Sequence, residues 1–440
     1  MKKYDLIVVG GGLTGIAASV CAAREGMKVL LCEQGGALGG AMANCLVMPF
    51  MRYFEKNPET GEISYLSDGF FREIRERYAK RAQAMGELKF ADSPLYFNQE
   101  IYKIVFDELA KESGVDLLFH SVLCGVESDG RRIKSVRLAT NAGVIELEAD
   151  YFIDSTGDGA LFALAGCAFN LGREKDHLCQ PMTTCFRMSG VDTEAFWKEK
   201  PLINEKYKAA KATGEIKNPR EDVLCFNWND GYIHFNTTRI IKLNPTDPFD
   251  VSRAEVESRE QVAEIVTFLK NNFESCRDAV VSSIASHIGI RESRKLVGEY
   301  VLTADDLIAC RKFDDAIALG DYDIDIHNPE GAGTSHHFFK YGEVYTIPYR
   351  SLIPREYDNM LVAGRCLSAT HEAQASVRIM PICCCMGEAA GRAMALAKKG
   401  ATGTREINIS ELQKQLGLKN MGEPLERLPQ TPAKPLKIGM

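Results

Sequence analysis

The chain has 440 residues, 45% of them hydrophobic, enough to bury a sizeable core in two or three domains. Its formal net charge is −7, and Lys and Arg are scattered without a basic tail, which argues against nucleic acid or an anionic membrane as the main partner. Fourteen cysteines without a C-x-x-C, zinc or iron–sulfur spacing read as reduced thiols, so neither a disulfide framework nor a metal is expected.

In chain order, Tyr4 to Val9 is a short apolar run of the kind that forms a buried parallel strand, and it ends in a G-x-G-x-x-G made by Gly10, Gly12, Leu13, Thr14 and Gly15. In that position Gly10 permits the tight turn, Gly12 lets backbone approach a pyrophosphate, and Gly15 lets the next helix sit close to the sheet. Ile16 to Glu25 supplies the helix, whose N-terminal N–H groups favour phosphate. Lys28 to Cys32 is a second strand, ending at Glu33, where a carboxylate can accept from ribose hydroxyls. A dinucleotide site is therefore expected.

Beyond Glu33 comes a glycine pair, Gly39 and Gly40, and then a small, apolar stretch, Ala41 to Tyr53, suited to running beneath a cofactor. Helices are predicted over Asp68 to Gly86 and Gln99 to Ser113, the second capped by Asn98. A strand, Val115 to His120, precedes a three-stranded meander over Val122 to Ser128, Ile133 to Thr140 and Val144 to Leu147. A separate strand, Asp150 to Ser155, leads into Thr156, Gly157, Asp158 and Gly159, where Asp158 can hold a cofactor and can also cap the following helix, Ala160 to Ala165.

From Phe169 to about Tyr345 the strand–helix alternation stops, which predicts an inserted lobe. Its clearest element is a helix starting at Ser252, where Ser252 and Glu255 match a capping box and Val262, Ile265, Val266, Leu269 and Phe273 share a face. The cluster Arg291, Glu292, Ser293, Arg294 reads as the solvated or salt-bridged face of a helix. The chain then returns to a strand, Met360 to Ala363, followed by Gly364, Arg365, a loop, and a small-residue helix opened by Pro381. The Cys383, Cys384, Cys385 triplet in that helix reads as core. After Thr402 a short helix and a proline-bearing extended arm are expected. No run of transmembrane length and no signal-peptide pattern occurs, so a cytoplasmic protein is expected.

The acid followed by a Gly-Gly pair resembles the FAD-binding fold of glutathione reductase-like flavoproteins. The T-G-D-G strand end and the strand–Gly–loop–helix near the C-terminus resemble that superfamily's second and third FAD motifs. With GREKDHLCQPMT from Gly172, IGIRESRKLVGEYVLTADDL from Ile288 and NMLVAGRCLSATHEAQASVRIMP from Asn359, the chain is identified as a member of the bacterial FAD-dependent oxidoreductase family, related by fold to fumarate reductase flavoproteins. The resemblance implies an α/β architecture: a Rossmann-like FAD-binding domain, with a parallel sheet, crossover helices and a three-stranded β-meander, and an inserted α+β substrate domain. The boundaries are 1–168 and 346–403 for the FAD-binding domain, 169–345 for the insert and 404–440 for the C-terminal helix and arm. Bound FAD is implied, held at Gly10, Gly12, Leu13, Thr14, Gly15, Glu33, Gly39, Gly40, Val122, Asp158, Gly364 and Arg365.

Flavin chemistry needs a group for the coupled proton and a clamp for the substrate. The loop before the third-motif helix carries both: His371 as acid or base, with Glu372 as an alternative base or the group that orients it, and Arg378 as an anion clamp. Arg239 is the third catalytic candidate; Tyr349, Arg350 and the His336, His337 pair are weaker ones. The expected function is hydride transfer between a small organic substrate and flavin N5. Because no second G-x-G-x-x-G follows a strand, electrons are expected to pass to or from a separate acceptor or donor. An FAD-containing hydratase or isomerase is the alternative; RNA modification is disfavoured by the acidic balance. The oligomeric state is not legible.

Overall fold

The computed structural model describes residues 3–418. Lys3–Val9, with Leu6, Ile7, Val8 and Val9 all buried, is an inner strand of a seven-stranded sheet. On one side it pairs in parallel with Val29–Cys32, which pairs with Asp116–Leu118. On the other it pairs in parallel with Gly143–Asp154, which also pairs in parallel with Met360–Val362. Val122–Asp129 and Arg132–Thr140 extend the sheet as an antiparallel meander.

One element differs from expectation in a way that shapes the site. Val144 to Leu147 and Asp150 to Ser155 are one twelve-residue strand, Gly143–Asp154, rather than two. No turn residue interrupts Glu148 and Ala149, and Glu148 pairs with both Lys3 and Ser135, so the ladder runs through. The exposed first half belongs to the meander and the buried second half to the parallel sheet, which carries the second motif to the same sheet edge as the first.

The helix Leu13–Arg24 crosses from the first strand to the second, and Met380–Gly400 lies directly on it. A Cβ at Gly387 would overlap the carbonyl oxygen of Thr14, and one at Gly391 that of Ala18. Cys383 and Cys384 are buried and Cys385 half-buried in that long helix. Among the described residues, no group of three or more His, Cys, Asp or Glu is placed to hold a metal. No single described helix is long and apolar enough to cross a membrane; His371–Val377 and Met380–Gly400 pass that test only together, bent by 92°, and both are largely buried.

A second, four-stranded antiparallel sheet is ordered Cys225–Asn229, Tyr232–Phe235, Phe186–Ser189, Val280–Ile284. Thr193–Thr213 and Pro248–Asn272 cover one face, burying Phe186, Met188, Ile233, Phe235, Val262 and Ile265. The second of these helices starts before Ser252. Asp247 caps it, accepting from the N–H groups of Phe249 and Asp250, with Pro248 in the first turn; Ser252 lies inside and donates back to the Pro248 carbonyl.

The stretch 291–294 is not helical. Arg294–Leu296 pairs with Phe169–Leu171, and Glu292 is fully buried, so the helix and its solvated face are not found: Glu292 forms a buried salt bridge with Lys295, while Arg291 and Arg294 donate to backbone carbonyls of Pro181 and Asp158. The short C-terminal helix is Ile409–Gln415; the proline-bearing arm falls outside the described residues.

Candidate active site

Three chain segments meet at the carboxyl ends of the parallel strands. Gly10, at φ +103°, makes the first turn, and a Cβ there would stand 2.6 Å from the Ser155 carbonyl oxygen. Ser155 Oγ donates to the carbonyls of Val9 and Gly10, both at 2.8 Å, latching the second motif to the first. Gly39 N–H donates to the Gly11 carbonyl at 2.8 Å, bringing Gly39 and Gly40 over the same loop. Gly364 packs on Thr14.

The space ahead of the first helix suits a diphosphate. Gly12 is the helix N-cap and offers no side chain to the first-turn N–H groups. A Cβ built on it would meet nothing nearer than Gly40 Cα at 3.9 Å, so backbone rather than side chain borders this cradle. Glu33 is buried beside it, with one oxygen accepting from Gly11 N–H and the other from Gly35 N–H, each at 2.7 Å. A carboxylate oxygen accepts more than one hydrogen bond, so Glu33 keeps capacity for ribose hydroxyls. Val122 opens its strand next to Ser121, whose N–H donates to the Glu33 carbonyl.

Asp158 does not cap the helix Ala160–Leu164, because Gly159, in a left-handed conformation, is the N-cap and carries no side chain. Asp154 does the binding there: fully buried, it accepts from the N–H groups of Leu161 and Phe162 and from Thr156. Asp158 instead accepts from Ser293 Oγ at 2.6 Å and pairs with Arg365 at 2.8 Å, while Arg365 also reaches the Ile290 carbonyl. Two expected cofactor residues thus touch each other.

His371 opens the helix His371–Val377, which Thr370 caps. It is oriented by Glu292 and not by Glu372, which is exposed. His371 Nδ1 lies 2.7 and 2.9 Å from the two Glu292 oxygens, Lys295 Nζ donates to Glu292 at 2.5 Å, and Gln180 N–H donates at 3.0 Å. Glu292 is 0%, Lys295 1% and His371 7% exposed. Burial pushes the Glu292 carboxyl up, but His371 and Lys295 outweigh it and hold it below its ordinary value. Lys295 and Gln180 were not singled out from sequence, and Glu292 only as part of a solvated or salt-bridged charge cluster; the RESRK run carried the signal, since Glu and Lys three apart can pair wherever they lie.

Arg378 closes the same helix and donates to Gln180 Oε1 at 3.3 Å and the Asp325 carbonyl at 3.4 Å. Gln180 therefore joins His371, through Glu292, to Arg378. Arg239 is buried, donating to the carbonyls of Gly331 and Gly333 and lying 3.1 Å from His327 Nδ1. The weaker candidates have other partners: Tyr349 donates to the Thr404 carbonyl, Arg350 pairs with Asp315 at 2.9 Å, and His336 lies 2.5 Å from Asp323.

A glycine-lined phosphate cradle at the ends of parallel strands, beside a buried histidine–carboxylate pair, defines a dinucleotide-dependent enzyme of the α/β class. Residues 5–416 match the FAD dependent oxidoreductase family, and the chain belongs to it.

Among solved structures, the chain is similar to p-nitrophenol 4-monooxygenase PnpA of Pseudomonas putida (TM-score 0.47, 11% identity, 96% of this chain and 87% of that one). It is also similar to a geranylgeranyl bacteriochlorophyll reductase-like protein of Thermoplasma acidophilum (0.44, 13%, 95% and 83%). L-proline dehydrogenase of P. horikoshii is a third (0.44, 11%, 94% and 99%). Dihydrolipoamide dehydrogenase of Chaetomium thermophilum is 44% identical over 45 residues, which is 10% of this chain and 9% of that protein, so the match spans about a tenth of this curated relative.

Proposed function

We propose that the protein transfers a hydride between a small organic substrate and flavin N5, and that His371 handles the coupled proton. The observation that carries this is the buried Lys295–Glu292–His371 chain opening the helix that leads into the third motif. With Glu292 on Nδ1, the proton sits there and Nε2 is the atom left to take or give one. Arg378, seven residues on, stands at the opposite end of the short helix to hold an anionic substrate group.

FAD supplies two-electron acceptance or donation when bound. Gly10, Gly12, Leu13, Thr14 and Gly15 would cradle its diphosphate, and Glu33, with Val122 nearby, its ribose. Gly39, Gly40, Asp158, Gly364 and Arg365 would complete the site. The Met380–Gly400 helix has no side-chain cap at its N-terminus, and its dipole would favour negative charge on the reduced ring. In this assignment residues 1–168 and 346–403 bind FAD, 169–345 form the substrate lobe, and 404–440 are a C-terminal extension. The kinship is with glutathione reductase-like flavoproteins and, by fold, fumarate reductase flavoproteins, and electrons pass to or from a separate partner.

The test is the visible spectrum of the purified protein before and after anaerobic addition of hydroxy acids, sugars, amino acids and amines. Flavin bands bleached by one compound class, with His371→Gln slowing bleaching by about 10²- to 10⁴-fold while retaining flavin, are the expected result. Bleaching at the wild-type rate in His371→Gln would remove the proton role from that residue.

A further inference from the structure

Beside His371, residues 220–291 and the end of the His371–Val377 helix bring together four arginines that hydride transfer by itself does not need. Arg378 and the His327 N–H both donate to Gln180 Oε1, and His327 Nδ1 lies 3.1 Å from Arg239. Arg291 donates to the Pro181 carbonyl at 2.7 Å, to Thr183 Oγ1, and to Asn236 Oδ1 at 3.4 Å. Arg220 is tied to the segment that carries Arg239: its N–H donates to Asn218 Oδ1, and the Asn218 amide donates to the Thr237 carbonyl, two residues before Arg239.

Most partners of these guanidinium groups are neutral carbonyls, hydroxyls and amides. The carboxylates stand off: Glu221 is 3.5 Å from Arg239, Asp222 3.8 Å from Arg220 and Asp325 3.9 Å from Arg378. Four cations against three carboxylates leave a net charge of 4 − 3 = +1. His327 adds none, because burial and then Arg291 push its pKa down to about 3. The crowding is costly: burial, then Arg378, Arg220 and Arg239, bring Arg291 down to about 9.

Two buried members also have unpartnered donors. Arg220 is 7% exposed, yet its Nε and Nη1 make no hydrogen bond; Gln180 is 1% exposed and its Nε2 makes none. Glu221 Oε2 and Asp325 Oδ1 are buried without a hydrogen bond too, but they belong to the three carboxylates already counted, and the Arg220 and Gln180 donors amid surplus positive charge call for one more anion.

We propose that Arg220, Arg239, Arg291 and Arg378, with the Gln180 amide, bind one carboxylate of the substrate. The single surplus charge matches a carboxylate better than a phosphate dianion, and the planar fork of a guanidinium fits its two oxygens. Gln180 ties this site to the Glu292–His371 pair, so the bound carboxylate positions the rest of the substrate against His371. The substrate class is thus an organic acid, an assignment that rests on the redox function proposed above.

The experiment titrates the FAD-loaded protein with acetate, succinate and phosphate at constant ionic strength, following the flavin difference spectrum and the unfolding midpoint. Saturable binding of the carboxylates that Arg220→Gln weakens about tenfold or more is expected, with Arg220→Lys intermediate and Arg72→Gln, on a distant exposed helix, unchanged. A flavin-bearing protein that binds neither carboxylate, or binds them equally well with Gln at position 220, overturns the proposal. Tighter binding of phosphate than of either carboxylate overturns it too. Should Arg220→Gln not fold, Arg220→Lys and Arg291→Lys carry the same comparison. Protein that takes up carboxylate but no FAD would instead defeat the redox function and leave the anion site standing.

Discussion

Replacing Glu292 with Gln is the sharpest test of the buried proton relay. The side chain is fully buried, and its two oxygens take contacts from His371, Lys295 and the Gln180 N–H. An amide of the same shape could keep one acceptor, but it turns an NH₂ towards a neighbour that donates. Lys295, 1% exposed, would then keep only the Gly172 carbonyl at 2.9 Å. Removing one partner of a buried ion pair costs about 3–5 kcal/mol, because the remaining charge is uncompensated. With an unfolding entropy of about 2.1 cal/mol/K per residue, the chain has roughly 0.9 kcal/mol/K, so the midpoint should fall by about 3–5 °C.

The assay is thermal unfolding of wild type, Glu292→Gln, Lys295→Met and the double variant at one fixed FAD concentration, since bound cofactor itself shifts the midpoint. The double variant should recover at least half of the Glu292→Gln loss, because it leaves no orphaned cation. Anaerobic flavin reduction should stay slow in both variants lacking Glu292, since His371 no longer has its Nδ1 proton held. The Glu292 pKa is lowered on folding, so its stabilisation is present above the unfolded value of 4.5 and lost as pH falls through the folded one. The Gln variant should therefore show a shallower acid limb. An unchanged midpoint in Glu292→Gln, or a double variant worse than either single one, would refute this account of the pair.

Glu33→Gln removes the charge of the proposed ribose acceptor and weakens the bonds to Gly11 and Gly35; FAD affinity should fall by about 10- to 100-fold, read by flavin fluorescence on titrating the apoprotein. His234 and His327 are both pushed down to about 3 from 6.5, chiefly by burial. The unfolded chain thus takes up these protons first, and stability should drop as pH falls below about 6.5, by roughly 2 kcal/mol per histidine at pH 5. Melting curves of His234→Phe should show a smaller loss between pH 7.5 and 5 than wild type. Gly391→Ala would drive a methyl group into the Ala18 carbonyl; a loss of about 1–3 kcal/mol, with the KM for substrate unchanged, would show that this glycine serves helix packing alone.

The α/β fold and the family were legible in the order of the residues. Glycines at Gly10, Gly12 and Gly15, the acid at Glu33 and the pair at Gly39 and Gly40 act through backbone geometry over a few tens of residues, so spacing alone carries their meaning. His371 and Arg378 were legible for a related reason, as polar residues in the loop and short helix ahead of the third motif. What those two residues touch became visible only once the chain was folded. Glu292 lies 79 residues before His371 and Gln180 still further, and charges at 291–295 look like a solvated face until strand pairing turns them inward. Asp154, rather than Asp158, ties down the second-motif helix because Gly159 turns the chain left-handed. The surplus charge arises the same way: Arg239 and Arg378 could be picked out singly, but only the fold draws Arg220 and Arg291 to them, with three carboxylates against four guanidinium groups.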